Sequence, residues 1–240
     1  MALTMDDTTT GGGLMTPGPR PALTTPFAGP RKPIFPEAEE LFRGIYTRAG
    51  LTAPGVIAVT SAIAGEGKTT VALGLAVMVA QDFPERRVLL AEADLRHPVL
   101  AADFDVEPSP GLTEALEGVY PVGLGYRETF LPNLRLLPAG EATTNPSRLL
   151  RSSRFPAVLA ATRRNHDLVI LDAPALLVSS DAALVTDQAD GVVMVVRSGV
   201  TPMPVVNRAL ELVDEERLRG MVLNGAQSAV PGWIRRLFGI

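Results

Sequence analysis

The chain contains no cysteine, so neither disulfide bridges nor thiolate metal sites are open to it, and a reducing compartment is compatible with its chemistry. It also lacks any long run of like charge. Its 22 basic and 26 acidic side chains leave a net charge of −4, spread along the sequence, which provides no electrostatic footprint for nucleic acid. Long hydrophobic runs are missing too: the uncharged stretch from Thr70 to Ala80 is too short to cross a bilayer. The opening "MALTMDDTTT" is acidic and lacks the regions of a signal peptide, and no internal repeat is visible. These absences lead to the expectation of a cytosolic protein, and 240 residues suffice for one sizeable α/β domain with tails.

What the chain does contain is unevenly placed. Residues 1–35 are dense in Thr, Gly and Pro without sustained periodicity. Such a segment buries too little apolar surface to offset its ordering entropy, so a disordered arm is expected there. From Pro36 the composition shifts to "PEAEELFRGIYTRAG", where helical spacing gathers Leu41, Phe42 and Ile45 on one side and charges on the other. At the far end, in "PGWIRRLFGI", the same spacing sets Trp233, Ile234, Leu237 and Phe238 opposite Arg235 and Arg236. That pattern suits either an interfacial anchor on an anionic membrane or a short helix docked on the core. The expected organisation is therefore an arm over 1–35, a domain over 36–230 and an amphipathic tail over 231–240.

The strongest local signal is "VTSAIAGEGKTTVALGLA", from Val59 to Ala76. Ala62, Gly67, Lys68 and Thr69 fit the phosphate-loop spacing, with Ala where the first Gly often stands. The spacing has a mechanism. Backbone N–H groups from Ala64, Gly65, Glu66 and Gly67 through Thr70 form an anion cradle, the following helix adds its positive end, Lys68 reaches the outer phosphates, and the Thr69 hydroxyl ligates Mg²⁺. A β-branched apolar run precedes this loop and an Ala- and Leu-rich run without Pro follows it, so strand, loop and helix come in the required order. A nucleoside triphosphate, with Mg²⁺, is the implied ligand.

Further apolar runs read as buried strands: "RVLLAEAD", "LRLLPAG", "DLVILDAP", "GVVMVVRSG" and, after the helix-like "PVVNRALELVDEERLR", "GMVLNG". Continuous apolar strands separated by helical stretches indicate a mostly parallel sheet covered by helices on both faces, a three-layer α/β fold of the P-loop NTPase type. Ligands in such sheets sit at the carboxyl ends of the strands. Two of these ends carry acids. Asp172 closes "LVILD" and is the natural partner of the phosphate-loop Thr in a Mg²⁺ shell. In "LLAEADLRHP", Glu92 and Asp94 lie two apart and hence on the same side of an extended chain, with Arg96 in step. One of these carboxylates is placed to serve the metal and the other to accept a proton from an attacking hydroxyl.

Taken together, "SAIAGEGKTT", "LLAEADLRHP" and "LVILDAPALLVSSDAALVTDQADGVVMVVRSGVT" resemble the three nucleotide motifs of the bacterial tyrosine kinases of capsular and exopolysaccharide synthesis. "PGLTEALEG", "LLPAGEATTNPSRLLRSS" and "MVLN" resemble that family's other segments, in the same order. The resemblance implies a P-loop ATPase fold, Mg-ATP as cofactor, and a membrane-embedded chain-length regulator as activating partner. Its site would draw on Lys68 at the phosphates, with Thr69, Asp94 and Asp172 holding Mg²⁺ directly or through water. Glu92, where the family usually has Asp, would be the base, and Asn224 of the late strand would contact nucleotide. Arg96 would serve the phosphates or a subunit contact, and Asp181 and Arg197 match family positions. The implied location is cytoplasmic, peripheral at the inner face of the membrane.

The match also departs from the family. Tyrosine occurs only at 46, 120 and 126, so an autokinase acting on a tyrosine-rich tail is not expected. The family's ring-forming Glu-x-x-Arg-x-x-Arg is met by Glu40 and Arg43 but then by Tyr46, which leaves a homo-oligomer open and makes Tyr46 a candidate for modification. The tail resembles the membrane-targeting end of the Min-type ATPases. Two rivals to a kinase therefore stand: a Min or partition-like ATPase switch acting on membrane or partner, and a catalytically weak regulatory relative. Ile63 stands where the partition class normally has an early Lys, which favours the kinase reading.

Overall fold

Each of the apolar runs becomes a strand of one sheet. The computed structural model describes residues 36–226; the arm expected over 1–35 and the tail expected over 231–240 lie outside the described residues. The strands are β1 (Gly55–Ser61), β2 (Val88–Glu92), β3 (Arg127–Glu128), β4 (Leu134–Leu137), β5 (Leu168–Asp172), β6 (Gly191–Arg197) and β7 (Leu218–Asn224). They are ordered β3-β4-β2-β5-β1-β6-β7. Every pairing is parallel except that of β3 with β4. The two-residue β3 is an edge strand with no apolar alternation of its own, which is why the sequence does not announce it.

Alternation along the buried strands divides the core into two faces. Ile57, Val59, Leu90, Ile170, Val193 and Val195 point toward α1 (Pro36–Arg48) and α2 (Lys68–Asp82). Val56, Ala58, Leu89, Val169 and Leu171 point the other way, toward α4 (Leu112–Glu117), α5 (Pro146–Leu150) and α6 (Arg154–Asn165). The short α3 (Leu100–Asp103) and α7 (Asp181–Thr186) follow β2 and β5, and α8 (Met203–Leu210) covers Met194 and Val196 of β6. This is the three-layer arrangement that continuous apolar strands require. It sets the ends of β1, β2, β5, β6 and β7 along one rim.

Two expectations about helices need correction. The stretch after Pro204 does not stay helical to Arg219: α8 stops at Leu210, and the Asp214 carboxylate accepts the Glu216 amide N–H at 3.0 Å in a turn. An Asp able to bond the backbone two residues on, inside a cluster of like charges, favours the turn over the helix. On α1, Leu41 is 61% exposed rather than buried with Phe42 and Ile45, and Tyr46 takes the inward place at 7% exposure.

Helix α1 is held against α2 by a specific contact. Gly74 of α2 leaves room for the Phe42 ring, which would stand 2.2 Å from a Cβ at that position. At the end of α2, Asp82 accepts from the Arg43 guanidinium at 2.9 and 3.1 Å and from the Tyr46 hydroxyl at 2.7 Å. Burial and the bond to Asp82 push the Tyr46 phenol up to about 12. Arg43 and Tyr46, which the sequence offered as part of a ring-forming stretch, are thus engaged within the chain, and Tyr46 is not presented for modification. Asp82→Ala leaves the buried Tyr46 hydroxyl without its acceptor, at a cost of about 1 kcal/mol, while Arg43 keeps Glu39 and Glu40. The expected outcome is a thermal midpoint lowered by roughly 2–4 °C, read by circular dichroism; an unchanged midpoint would show that the contact does not hold α1.

Candidate nucleotide and metal site

The loop between β1 and α2 has the backbone that its glycines imply. Gly65 and Gly67 sit at φ +83° and +92°, conformations that other residues adopt only under strain. Gly67 also abuts Asn224, whose side-chain nitrogen would lie 2.1 Å from a Cβ there. The helix begins at Lys68, so its free N–H groups and positive end face the loop's concavity, the setting for a phosphate chain.

Three of the acids and hydroxyls expected at the site converge on this helix start. The Thr69 hydroxyl donates to Asp172 Oδ2 at 2.7 Å. Lys68 Nζ lies 3.2 Å from Asp94 Oδ2 and 3.9 Å from Asp172 Oδ1. Asp172 is 1% exposed, and its Oδ1 has no hydrogen-bond partner. Burial pushes its carboxyl up to about 6, against the opposing pull of Lys68 and of the Thr69 hydroxyl. A buried carboxylate oxygen without a donor, beside a threonine hydroxyl and a second acid, is an oxygen-rich donor set suited to Mg²⁺. The residues present therefore fit the metal: Thr69 and Asp172, with Asp94 next to them, would hold it, and its charge would keep Asp172 ionised.

The structure surrounds Glu92 with backbone donors. Its Oε1 accepts the amide N–H groups of Val99 and Leu100, the latter at 2.8 Å, and its Oε2 accepts that of Ala139 at 3.3 Å. The carboxylate is 1% exposed, and burial raises it above the usual range despite those three donors. It closes the start of α3 and ties it to the segment after β4. The reason is the chain path: β2 ends at Glu92, so the extended geometry that would align Glu92 with Asp94 is not continued, and Asp94 alone turns to Lys68.

Arg96 is likewise engaged away from the loop. Its guanidinium donates to Asp181 at 2.6 Å and to Ser147 Oγ at 2.9 Å, and Ser147 donates to the other Asp181 oxygen. Expected to serve the phosphates or a subunit contact, Arg96 here braces the segment after β2 against the first turns of α5 and α7. Ser147, at the centre of that brace, carried no signal in the sequence beyond lying inside a quoted segment.

Glu66 has the least expected role. The side chain in the middle of the loop is 1% exposed and accepts from the Ile63 amide at 2.8 Å, the Arg197 amide at 3.0 Å and the Thr201 hydroxyl at 2.5 Å. Asn224 donates to the Glu66 carbonyl at 2.8 Å, and Arg197 reaches the Gly65 carbonyl at 3.4 Å. The loop is thereby fastened to the ends of β6 and β7. Asn224 acts on the loop backbone, and Thr201 enters the site only because the fold brings it there.

No family model matches the chain. It is 31% identical over 199 residues to the tyrosine-protein kinase CpsD of Streptococcus agalactiae, covering 81% of this chain and 86% of that protein. The kinase domain of the Escherichia coli tyrosine kinase ETK superposes with a TM-score of 0.71 at 27% identity, over 80% of this chain and 79% of that one. The cell division ATPase MinD of Pyrococcus furiosus superposes with a TM-score of 0.58 at 22% identity, over 77% and 79%, and shares the fold alone. A P-loop sheet with helices on both faces, motifs in the family's order and a relative matched over most of its length lead to one conclusion: the chain belongs to the bacterial tyrosine-protein kinases.

Proposed function

We propose that this kinase-family chain transfers the terminal phosphoryl group of ATP to a tyrosine of another polypeptide, in the control of capsular or exopolysaccharide synthesis. The observation that carries the reading is the Thr69 to Asp172 hydrogen bond beneath Lys68, with Asp172 Oδ1 left unpartnered. Bound Mg-ATP supplies a phosphoryl group whose charge the metal partly neutralises. The loop amides from Ala64 to Thr70 would hold the phosphate chain, and Lys68 would supply charge to its outer oxygens. Thr69, Asp94 and Asp172 would hold the metal. Phosphoryl transfer passes through a loose transition state that needs positioning and charge more than a strong base. Glu92 is accordingly a positioning residue, which keeps the segment carrying Asp94 in place.

The accessibility of the tyrosines supports an acceptor outside the site's own chain. Tyr46 is 7% exposed and bonded to Asp82, and Tyr126 packs edge-on against His166 with ring centroids 4.8 Å apart. Tyr120 alone is open, at 46%. Among the described residues no helix is long and apolar enough to cross a membrane. We therefore keep the membrane chain-length regulator of the family as the partner that would bring this domain to the inner face of the membrane.

Lys68→Ala is expected to lower ATP affinity and phosphotransfer by about 100-fold or more, since Lys68 is the cation set beside both acids at the helix start. Titration calorimetry and label transfer to a tyrosine polymer measure both, and near-parental activity would refute the site. Asp172→Asn should reduce turnover about 100-fold with ATP affinity changed only a few-fold, and should raise the Mg²⁺ concentration needed for half-maximal rate. Equal losses in binding and turnover would make Asp172 structural. Glu92→Gln should cost about 1–3 kcal/mol of stability by turning an amide group toward backbone donors, while turnover stays within a few-fold. A large loss of turnover at unchanged stability would restore Glu92 as the base.

A further inference from the structure

Among the described residues, large apolar side chains of the edge strand β7 stand uncovered. In register, Met194 of β6 lies beside Met221 of β7, and Val196 beside Leu223, so all four side chains point to the same face. Met194 and Val196 are 0% and 5% exposed, beneath Val206 and Ala209 of α8. Met221 and Leu223, one strand further out at the edge of the sheet, are 49% and 62% exposed. Val222, between them and facing the opposite way, is buried in the core shared with α1 and α2. A parallel sheet with helices on both faces ordinarily covers such positions, and here two large apolar side chains are left without cover on one face only.

We infer that the segment from Trp233 to Phe238 of this same chain folds back over that face of β7. The chain leaves β7 at Asn224, turns at Gly225 with φ +69°, and reaches Trp233 nine residues later through Pro231 and Gly232. Nine residues span up to roughly 30 Å, more than the roughly 23 Å length of a seven-residue strand, so the segment reaches back along all of β7. Its composition matches what it meets. Trp233, Ile234, Leu237 and Phe238 supply the apolar surface that Met221 and Leu223 need. The turn at the start of β7 carries Glu211, Asp214, Glu215 and Glu216, all exposed, with Arg217 pairing with Asp214 at 3.4 Å. Arg235 and Arg236 complement that acidic turn. The contact also bears on the nucleotide loop, because Asn224 at the end of β7 donates to Glu66 and abuts Gly67. A segment seated on β7 steadies the strand that braces the loop.

Trp233 is the only tryptophan in the chain, so its fluorescence reports on this contact directly. With the full chain at submicromolar concentration and no lipid, the expected result is blue-shifted emission and several-fold protection from acrylamide quenching, independent of protein concentration. Leu223→Ser and Met221→Ser should each shift the emission to the red and restore quenching, with the circular dichroism spectrum retained. The surface charge reversal Glu215→Lys with Glu216→Lys, which removes nothing from the core, should weaken the protection and its sensitivity to salt. Free-solvent emission that turns blue only on adding vesicles of phosphatidylglycerol and phosphatidylcholine would overturn the inference in favour of a membrane anchor. Protection that rises with protein concentration would overturn it in favour of a second copy. Protection unaffected by every one of these substitutions would place the segment elsewhere on the domain.

Discussion

The hydrogen bond between Thr69 and Asp172, 2.7 Å long, is the contact on which the candidate site depends. It joins the first turn of α2 to the last residue of β5 and so fixes where the helix's positive end meets the rim of the sheet. It also keeps a carboxylate almost wholly out of water. An unpaired charge there would be prohibitively costly, and the surroundings divide that cost: Thr69 donates to one oxygen, and Lys68 stands 3.9 Å from the other. The raised Asp172 carboxyl is the residue of that balance. A site that holds one oxygen unsatisfied and keeps a lysine near two acids is electrostatically incomplete by itself, which is the state a cation and a phosphate chain would resolve.

The loop between β1 and α2 is built from the outside inward. Glu66 points away from the concavity and ties the loop to the Arg197 amide and the Thr201 hydroxyl, while Asn224 takes its carbonyl. The neighbouring strands β6 and β7 are thereby coupled to the loop without contributing a side chain to its concave side. The other half of the rim is handled similarly. Glu92 ties the start of α3 to the segment after β4, and Arg96, Ser147 and Asp181 join three elements. Glu66, Glu92 and Arg96 thus each join separate segments around the rim on which Asp94 and Asp172 meet Lys68.

Much of this was readable in advance, for reasons particular to each element. The loop from Ser61 to Thr69 is legible because its glycines, lysine and threonine must stand at set spacings for backbone N–H groups to face an anion. Strands β1, β2, β4, β5 and β6 are legible because burial on both faces demands unbroken apolar runs. The edge strand β3 has only Arg127 and Glu128 and no such demand. Leu41 is exposed and Tyr46 buried because apolar spacing alone does not register that a phenol can be buried when Asp82, at the end of another helix, accepts its hydrogen bond.

By itself the sequence determined the kind of fold, the ligand-binding loop and the order of its motifs, because each of these is set by properties of adjacent residues: alternation, glycine conformations and helix-start chemistry. Only the tertiary structure decided which partners each carboxylate meets. Glu92, Asp94 and Asp172 lie at or just past strand ends and Glu66 in the loop after β1, and nothing in their composition tells them apart. What separates them is which donors the folded chain brings within about 3 Å of each, and those donors come from Val99, Ala139, Lys68, Thr69, Arg197 and Thr201, several of them far away in the chain. Partner choice over such separations is a property of the packed sheet and not of any local stretch.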